Sequence, residues 1–352
     1  QLDEYVERVL QLEAVACKDW LTNKVDRSVT GKIARQQCQG EIQLPLSDCG
    51  VVALDYRGRA GIATSIGHAP QAALVDPAAG SILSIAEALT NIVWAPLSEG
   101  LDSVSLSANW MWPCKNEGED ARLYRAVEAC SDFACSLGIN IPTGKDSLSM
   151  TQKYGKDKVY SPGTVIISAG AEVSDIRKVV SPVLRTGIDS TVYYIDFSFD
   201  KLKLGGSAFA QSLDKIGKEV PTVQDSEYFA NAFNAVQELI NKELILAGHD
   251  ISAGGMITTM LEMNFANTEG GLEVSLDEIP EKDLVKILFS ENPGILIQVE
   301  KTDEVEKILK KAGVAFIRLA RPCDERHLLI HKDGADYQFF IDHLRDVWFE
   351  SS

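Results

Sequence analysis

The chain has 352 residues, of which 45% are hydrophobic and 24% are charged. This length and composition indicate a globular protein with room for two domains. The formal net charge of −17 argues against a nucleic-acid partner. We also expect no membrane contact, because no apolar run reaches membrane-spanning length and no signal peptide opens the chain.

The cysteines and the first residue give two further expectations. None of the seven cysteines forms a CxxC pair, which disfavours a zinc site and suits a reducing cytoplasm. Because the chain starts at Gln1 rather than at methionine, we expect it to be a piece of a larger protein.

Hydrophobic periodicity predicts the elements of the first half. In chain order these are a helix at 3–16, a strand or turn at 25–31, a short helical segment at 33–38, a buried strand at 51–54, a strand at 62–66, a helix from 81 to 91, a strand at 104–113, a helix at 118–138 and a buried strand at 161–173. Residues 144–147 are predicted to lie in a loop.

The helix from Ser81 carries the most informative pair of polar side chains. Glu87 and Asn91 are four residues apart and therefore point from one face of the helix. Two oxygen-bearing side chains at this spacing can bind a hard cation. The alternative is a surface glutamate followed by a capping asparagine. Asp48, at the entrance of the strand at 51–54, is either a turn residue or a third oxygen ligand beside this pair.

Three other groups of residues in this half also have two interpretations each. Lys32 and Arg35 are either phosphate contacts or solvated charges. His68 is either a proton carrier or a loop histidine. Gly144, Lys145 and Ser147 lack the spacing of a P-loop, but such a turn can still offer amides, an ammonium and a hydroxyl to a phosphate.

A second domain is predicted to begin after a turn-rich boundary at 174–189. Its elements are a strand from Thr191, a helix at 228–246, a helix at 256–263, a strand at 288–299, a helix at 304–312, a strand at 316–322 and a hairpin over 326–340. We expect Trp348 and Phe349 near the C-terminus to pack on another surface, such as that of a domain outside this chain.

Two glycine-containing segments of this half are candidate ligand sites. Leu204–Ser207 opens a helix, so its amides could receive a phosphate, or it is a plain tight turn. Asp250 and Ser252 precede Gly254 and a helix, where they are either caps or ligand contacts.

Six motifs together resemble one family. They are SDC at 47–49, GHAP at 67–70, EALTN at 87–91, LSANWM at 106–111, TGKDSLSM at 143–150 and GHDISAGG at 248–255. Their order and spacing resemble the large form of phosphoribosylformylglycinamidine synthase, within a superfamily that includes aminoimidazole ribonucleotide synthetase and ATP-dependent kinases. The resemblance is to the second of that enzyme's two synthetase halves.

The resemblance implies a two-domain α/β (α+β) fold like that of aminoimidazole ribonucleotide synthetase. Residues 25–173 would form a mixed sheet that pairs into a barrel with the other half, and residues 175–335 an α/β layer domain. A lead-in helix and linker at 1–24 and a tail at 336–352 would flank them. The implied partners are the first synthetase half and a glutaminase domain after the tail. Two copies of this chain could also pair as a homodimer.

The resemblance also implies the site residues. Magnesium ligands fall on Asp48, Glu87, Asn91 and Asp250, and nucleotide contacts on Ser47 and Ser252. Gly144, Lys145 and Ser147 would contact substrate or phosphate. Short-form enzymes have asparagine where this chain has Lys145, so a metal-binding role there is disfavoured. The cofactors would be Mg²⁺ and ATP or ADP.

The implied activity is that of a carbon–nitrogen ligase of purine biosynthesis. It uses ATP and glutamine to convert formylglycinamide ribonucleotide to the amidine. The family's catalytic histidine segment and a glutaminase nucleophile motif are both absent from this sequence. We therefore expect no catalytic residue in this chain and no activity of the chain alone. Three roles remain open: a contribution to the working site through Gly144 to Ser147, a structural half with an auxiliary ADP site, or a free-standing ATP-dependent kinase of the superfamily.

Overall fold

A computed structural model describes residues 1–351 of the protein. Within these residues, helices α1 to α11 span Leu2–Leu10, Asp19–Thr22, Pro70–Val75, Pro77–Ile92, Glu119–Ser136, Ala208–Ser212, Ser226–Asn241, Gly255–Phe265, Leu284–Phe289, Thr302–Lys311 and Ile341–Glu350. Strands β1 to β17 span Ile33–Arg35, Cys38–Gln39, Leu44–Pro45, Gly50–Ala53, Gly61–Gly67, Ser105–Met111, Asn140–Ser147, Thr151–Tyr154, Asp157–Tyr160, Thr164–Val173, Thr191–Asp196, Ile245–Ile251, Gly271–Ser275, Gly294–Val299, Ile317–Cys323, His327–Lys332 and Ala335–Phe340.

The first half of the chain builds a mixed six-stranded sheet in the order β1-β4-β5-β10-β6-β7. Its neighbouring strands are antiparallel except for the β6–β7 pair, which is parallel. Helices α4 and α5 pack together on this half, and α4 also contacts β5 and β10. Along β5, buried residues alternate with Ile62 and Ile66, which are 45% and 57% exposed. One face of the sheet is therefore covered by helices while the other is open.

The second half builds a seven-stranded sheet in the order β12-β14-β11-β15-β13-β16-β17. Its pairs are antiparallel except for β13 and β16, which run parallel. Strand β14 lies between two neighbours and is buried along its whole length. The architecture is the mixed α/β fold that the sequence predicts, with one large sheet in each half and two small two-stranded sheets, β2–β3 and β8–β9, in the first half.

Helix α4 is the element that joins the halves. Asp76 caps it by accepting hydrogen bonds from the amides of Ala78 and Ala79, and Pro77 occupies the first turn. The helix packs against β5 on one side and contacts β12 of the second sheet on the other. A side chain at Gly67, where β5 ends, would lie 2.2 Å from the backbone oxygen of Ser84. Glycine is therefore required for the strand to approach the helix this closely.

The hydrophobic core is continuous across the two halves. Apolar residues of α4, α7, β10, β11 and β14 belong to one buried cluster. Trp94, which follows α4, is 1% exposed and packs so closely on β12 that a side chain at Gly248 would lie 2.2 Å from its ring. The two halves are thus held by direct packing.

Both ends of the chain pack on the far side of the second sheet. Helices α1 and α11 contact each other and contribute to a second apolar cluster. Trp348 is 2% exposed, lies 5.2 Å from Phe265 between ring centroids, and donates its indole N–H to the carbonyl of Val15. The expectation that Trp348 packs on another surface is therefore confirmed, but that surface belongs to this chain rather than to another domain. Phe349 is 39% exposed.

Several predicted elements are confirmed within a few residues. They include strands β5, β6, β10, β11 and β15, helices α5 and α10, and the β16–β17 hairpin. The predicted helix at 3–16 ends at Leu10, and the helix from Ser81 begins earlier, at Pro77.

Four predicted elements are wrong. Residues 33–38 contain strand β1 rather than a helical segment, because Ile33 and Arg35 pair with β4. Residues 144–147 end strand β7 rather than forming a loop, since they pair with β6. The helix predicted to reach residue 246 ends at Asn241, and β12 begins at Ile245. Leu288 lies in helix α9 before the strand.

The strand predicted as buried at 51–54 is also only half-buried. Strand β4 alternates between buried and exposed positions, and Val52 is 38% exposed. Val52 therefore contributes to the open face of the first sheet, whereas Val51 and Ala53 face the core. None of the helices within residues 1–351 has the length and apolar character to cross a membrane.

Gln237 on α7 is a polar link inside the shared core. Its side chain is 3% exposed, donates to the carbonyls of Val93 and Ala95, and accepts from the amide of Leu97. These three backbone groups follow α4 and have no strand or helix to satisfy them. One glutamine thus replaces the backbone partners that the chain lacks after α4.

We expect Gln237→Leu to destabilise the whole chain. The substitution keeps the volume but leaves three buried backbone groups unpaired, so the free energy of unfolding should fall by about 3 kcal/mol or more. Urea denaturation followed by circular dichroism measures the change. The control is Glu238→Gln on the exposed side of the same helix, which should stay within about 0.5 kcal/mol of wild type. Equal stability of the two variants would show that Gln237 does not stabilise the buried backbone groups after α4.

Candidate functional site

Two of the predicted metal ligands meet where the halves join. Asp48 lies in the loop before β4 of the first sheet, and Asp250 lies near the end of β12 in the second. Ligand atoms of Asp48, His249 and Asp250 all lie within 4.8 Å of one another. The folded chain therefore brings together carboxylates that are about 200 residues apart in the sequence.

Glu87 on α4 belongs to the same acidic cluster. Burial, and after it the charges of Asp250, Glu291 and Asp48, raise the pKa of Glu87 well above its ordinary value. Asn91, one turn further on, donates its side-chain amide to the carbonyl of Ile66 at 3.0 Å. The amide oxygen of Asn91 is not used in that bond, so it can still serve as an oxygen ligand.

His249 connects the cluster to helix α8. Its Nδ1 lies 2.8 Å from Asp48 Oδ1 and 3.4 Å from Asp250 Oδ1, and its Nε2 lies 2.9 Å from Glu262 Oε2. Burial acts to lower the pKa of His249, but Asp48 and Glu262 outweigh it and raise that pKa well above its ordinary value. A histidinium here offsets part of the negative charge.

The negative charge of the carboxylates nevertheless exceeds the local positive charge. Burial raises the pKa of Asp48 despite the neighbouring His249, and burial followed by repulsion from Asp48 raises the pKa of Asp250 to about 7. Asp250 is 3% exposed, and its Oδ2 has no hydrogen-bond partner within the described residues. A buried carboxylate oxygen without a partner is costly unless a ligand satisfies it.

The donor set fits a magnesium ion. Carboxylate and amide oxygens are hard ligands, which Mg²⁺ prefers, and this ion usually retains water or phosphate oxygens in addition. Asp48, Glu87, Asn91 and Asp250 offer such oxygens from the loop before β4, helix α4 and strand β12. A divalent cation there would relieve the repulsion that raises the carboxyl pKa values.

Two cavities adjoin this cluster. One has a volume of about 150 Å³ and is lined by Glu87, Ser252 and His68 among others. The other has a volume of about 580 Å³, opens toward the first sheet and includes Ser47 and Asp48 in its lining. The larger cavity falls within the range of about 300–1,000 Å³ typical of small-molecule sites. The predicted nucleotide contacts Ser47 and Ser252 thus line different cavities, and Ser47 Oγ is buried without a hydrogen-bond partner among the described residues.

Glu291, which precedes β14, is a further carboxylate of this region. Its Oε1 accepts hydrogen bonds from the amides of Ala208 at 2.7 Å and Gly254 at 2.9 Å. Burial raises the pKa of Glu291 to about 7, against the opposite effect of these two bonds. It lines the same cavity as Glu87 and Ser252.

Four amides of the glycine-rich turn, those of residues 205–208, already have acceptors. Gly205 donates to Glu219, Gly206 to Ile216 and Ser207 to Leu204, all through backbone carbonyls, and Ala208 donates to Glu291. Each of these four amides therefore already has a partner within the described residues. The structure therefore favours the interpretation as a plain tight turn over that of a phosphate site.

The predicted substrate residues Gly144, Lys145 and Ser147 lie on β7, at one edge of the first sheet. Lys145 Nζ contacts Ser147 Oγ. None of the three lines either cavity beside the acidic cluster. They form a separate group on the exposed part of the first half.

Lys32 and Arg35 make internal contacts. Arg35 donates to the side chain of Gln39 at 2.6 Å and to the carbonyl of Val179 at 2.7 Å, and Lys32 donates to the carbonyl of Leu54 at 3.3 Å. Arg35 therefore links the first sheet to the segment between the halves.

Sequence reasoning assigned no role to His249, Glu262 or Glu291. His249 adjoins Asp250, so its position in the same motif was a usable signal. Glu262 lies on α8, and Glu291 precedes a proline-containing turn. No local pattern marks either one, because only the fold brings them to the cluster.

Comparison with known proteins gives two adjacent family matches. Residues 17–172 match the FGAR-AT PurM N-like domain, and residues 191–328 match the C-terminal domain of AIR synthase related proteins. Among curated proteins, a probable phosphoribosylformylglycinamidine synthase of Caenorhabditis elegans is 40% identical over 97% of this chain and 27% of its own length. The Homo sapiens phosphoribosylformylglycinamidine synthase is 41% identical over 99% of this chain and 26% of its own.

Solved structures share the fold. Thermotoga maritima PurL complexed with FGAR superposes with a TM-score of 0.74 at 16% identity, over 98% of this chain and 53% of that one. Other structures of PurL from this organism are complexed with ATP, ADP or AMPPCP. The chain belongs to the phosphoribosylformylglycinamidine synthase family, and it spans about a quarter of the length of the curated relatives that it matches.

Proposed function

We propose that this chain is the second synthetase half of a phosphoribosylformylglycinamidine synthase and that it holds Mg²⁺ and ADP where its two domains meet. The observation that carries the proposal is the convergence of Asp48, Glu87 and Asp250, whose carboxyl pKa values are all raised. Buried carboxylates in this number are stable together only when protonated or when a cation neutralises them.

In this proposal the chain's own residues bind the cation and orient the nucleotide. Asp48, Glu87, Asn91 and Asp250 would hold Mg²⁺, which supplies charge neutralisation for the phosphates. Ser47 and Ser252 would donate their hydroxyls to the nucleotide. His249 would help to orient Asp48, and Glu262 would in turn fix the ring of His249.

The reaction of the whole enzyme would be a glutamine-dependent ligation in purine biosynthesis. ATP would activate the amide oxygen of formylglycinamide ribonucleotide, and ammonia from glutamine would replace that oxygen to give the amidine. We infer that this chain alone does not turn over substrate. Its site would be an auxiliary one that retains ADP, while Gly144, Lys145 and Ser147 would reach the working site of the assembled enzyme in the cytoplasm.

The open face of the first sheet supports a partner there. Val52, Ile62 and Ile66 are exposed on neighbouring strands of this face, which α4 and α5 do not cover. Exposed apolar residues on adjacent strands favour burial against another sheet. The matching domain of the first synthetase half would close a barrel with it, and the glutaminase domain would be a further partner. In the absence of the first half, a second copy of this chain could take its place.

The Mg²⁺·ADP proposal predicts the behaviour of Asp250→Asn. Wild-type chain should bind ADP in the presence of Mg²⁺ and lose this binding in EDTA. The variant should weaken Mg²⁺·ADP binding at least about tenfold, because an anionic ligand oxygen is replaced by an amide. Isothermal titration calorimetry measures the ADP affinity of the wild-type chain and of the variant. Asp303→Asn on the exposed surface of α10 makes the same charge change and should bind like wild type. Unchanged affinity of Asp250→Asn would contradict the proposal.

The sheet-pairing proposal predicts an effect of Ile66→Asp. We expect the wild-type chain to self-associate at micromolar concentrations, and a charge on the open face to abolish this association. Sedimentation velocity gives the oligomeric state. Tyr124→Asp replaces an exposed aromatic residue on α5 and should leave the association intact. If wild type sediments as a monomer and does not bind a first synthetase half, the open face is not the pairing surface.

The substrate-site proposal predicts a kinetic effect of Ser147→Ala in a full-length synthase that carries this chain as its second half. KM for formylglycinamide ribonucleotide should rise by about tenfold with little change in kcat, the pattern of a lost binding contact. Ser149→Ala, two residues away, is the control. Steady-state kinetics that show unchanged KM and kcat would remove Ser147 from the substrate site and favour the purely structural role.

A further inference from the structure

Glu291 joins two segments that form one wall of the smaller cavity. Gly205 and Gly206 belong to the first segment, Ser252 and Ala253 belong to the second, and all four line the cavity. The amide of Ala208 follows the first segment and the amide of Gly254 follows the second. Both donate to the same carboxylate oxygen of Glu291, at 2.7 and 2.9 Å.

The two segments come from different parts of the second half. The first precedes helix α6 and the second precedes helix α8. Their only shared acceptor within the described hydrogen bonds is Glu291 Oε1. Gly254 has a φ of +95°, which glycine adopts readily and an L side chain rarely does, so the turn into α8 depends on glycine at this position.

We propose that Glu291 is a positioning residue for nucleotide binding. By accepting both amides, it fixes the turn at 204–208 against the segment that carries Ser252, and so sets where the Ser252 hydroxyl stands relative to Glu87 across the cavity. This inference rests on the proposed Mg²⁺·ADP site. It assigns Glu291 a role through hydrogen-bond acceptance rather than as a ligand of the cation.

Two substitutions separate these roles. Glu291→Gln keeps an oxygen that can accept from both amides but removes the charge. Glu291→Ala removes the acceptor altogether and leaves two amides unpaired. A cation ligand would be damaged by both substitutions, whereas a positioning acceptor is damaged only by the second.

The test is Mg²⁺·ADP binding by calorimetry. Glu291→Ala should bind at least about tenfold more weakly than wild type, and Glu291→Gln should restore binding to within about threefold. Gln298→Ala controls for lost stability, because Gln298 is a fully buried hydrogen-bonding residue at the other end of β14. It should unfold more easily yet bind like wild type. Equal loss in Glu291→Gln and Glu291→Ala, or no loss in either, would overturn the inference.

Hydrogen–deuterium exchange tests the same role without a ligand. In Glu291→Ala the amides of residues 205–208 and 252–255 should exchange faster than in wild type, and Glu291→Gln should restore slow exchange. Unchanged exchange in Glu291→Ala would overturn the inference. If wild type binds no Mg²⁺·ADP, the proposed function fails, and the exchange data still decide whether Glu291 holds the two segments.

Discussion

The repulsion among buried carboxylates is the constraint on which this structure depends. Asp48, Glu87 and Asp250 are held together by a fold that packs two sheets around helix α4, and each has a raised carboxyl pKa. Such an arrangement costs free energy, which the shared core and the packing of Trp94 against β12 must offset. His249 supplies one positive charge against several negative ones. A cation would neutralise the remaining negative charge.

The same junction explains why the two halves act as one unit. Backbone groups that follow α4 are satisfied by Gln237 from α7, and the two ends of the chain pack together on the second sheet. Residues predicted to be a lead-in and a tail thus contribute to a core. The open face of the first sheet is different, because no element within residues 1–351 covers Val52, Ile62 and Ile66. The interface between the two halves is therefore packed, whereas one face of the first sheet is exposed to solvent.

Sequence patterns predicted the strongly periodic elements and the types of ligand. Helix α5 and the β16–β17 hairpin follow from local periodicity and turn residues alone. Asp48, Glu87 and Asp250 were selected by residue type and by resemblance, and the fold brings them to one place. Whether they bind metal stays a prediction.

The errors have a common physical cause. Residues 144–147 have low strand propensity, but pairing with β6 determines their conformation. Leu288 and Phe289 form a short apolar run that periodicity cannot assign, and Asp283 caps the helix that contains them. Glu291 and Glu262 resemble ordinary polar residues in the sequence. Their importance depends on contacts with segments far away in the chain, which no local pattern encodes.

The central claim is that a divalent cation lies among these carboxylates together with a nucleotide. Crystals of the chain grown with Mn²⁺ and ADP, measured at a wavelength where manganese scatters anomalously, test it most directly. We expect one strong anomalous peak at about 2.1 Å from oxygens of Asp48, Glu87 or Asp250, and in contact with the diphosphate. Bound ADP with no peak among these residues would contradict the account.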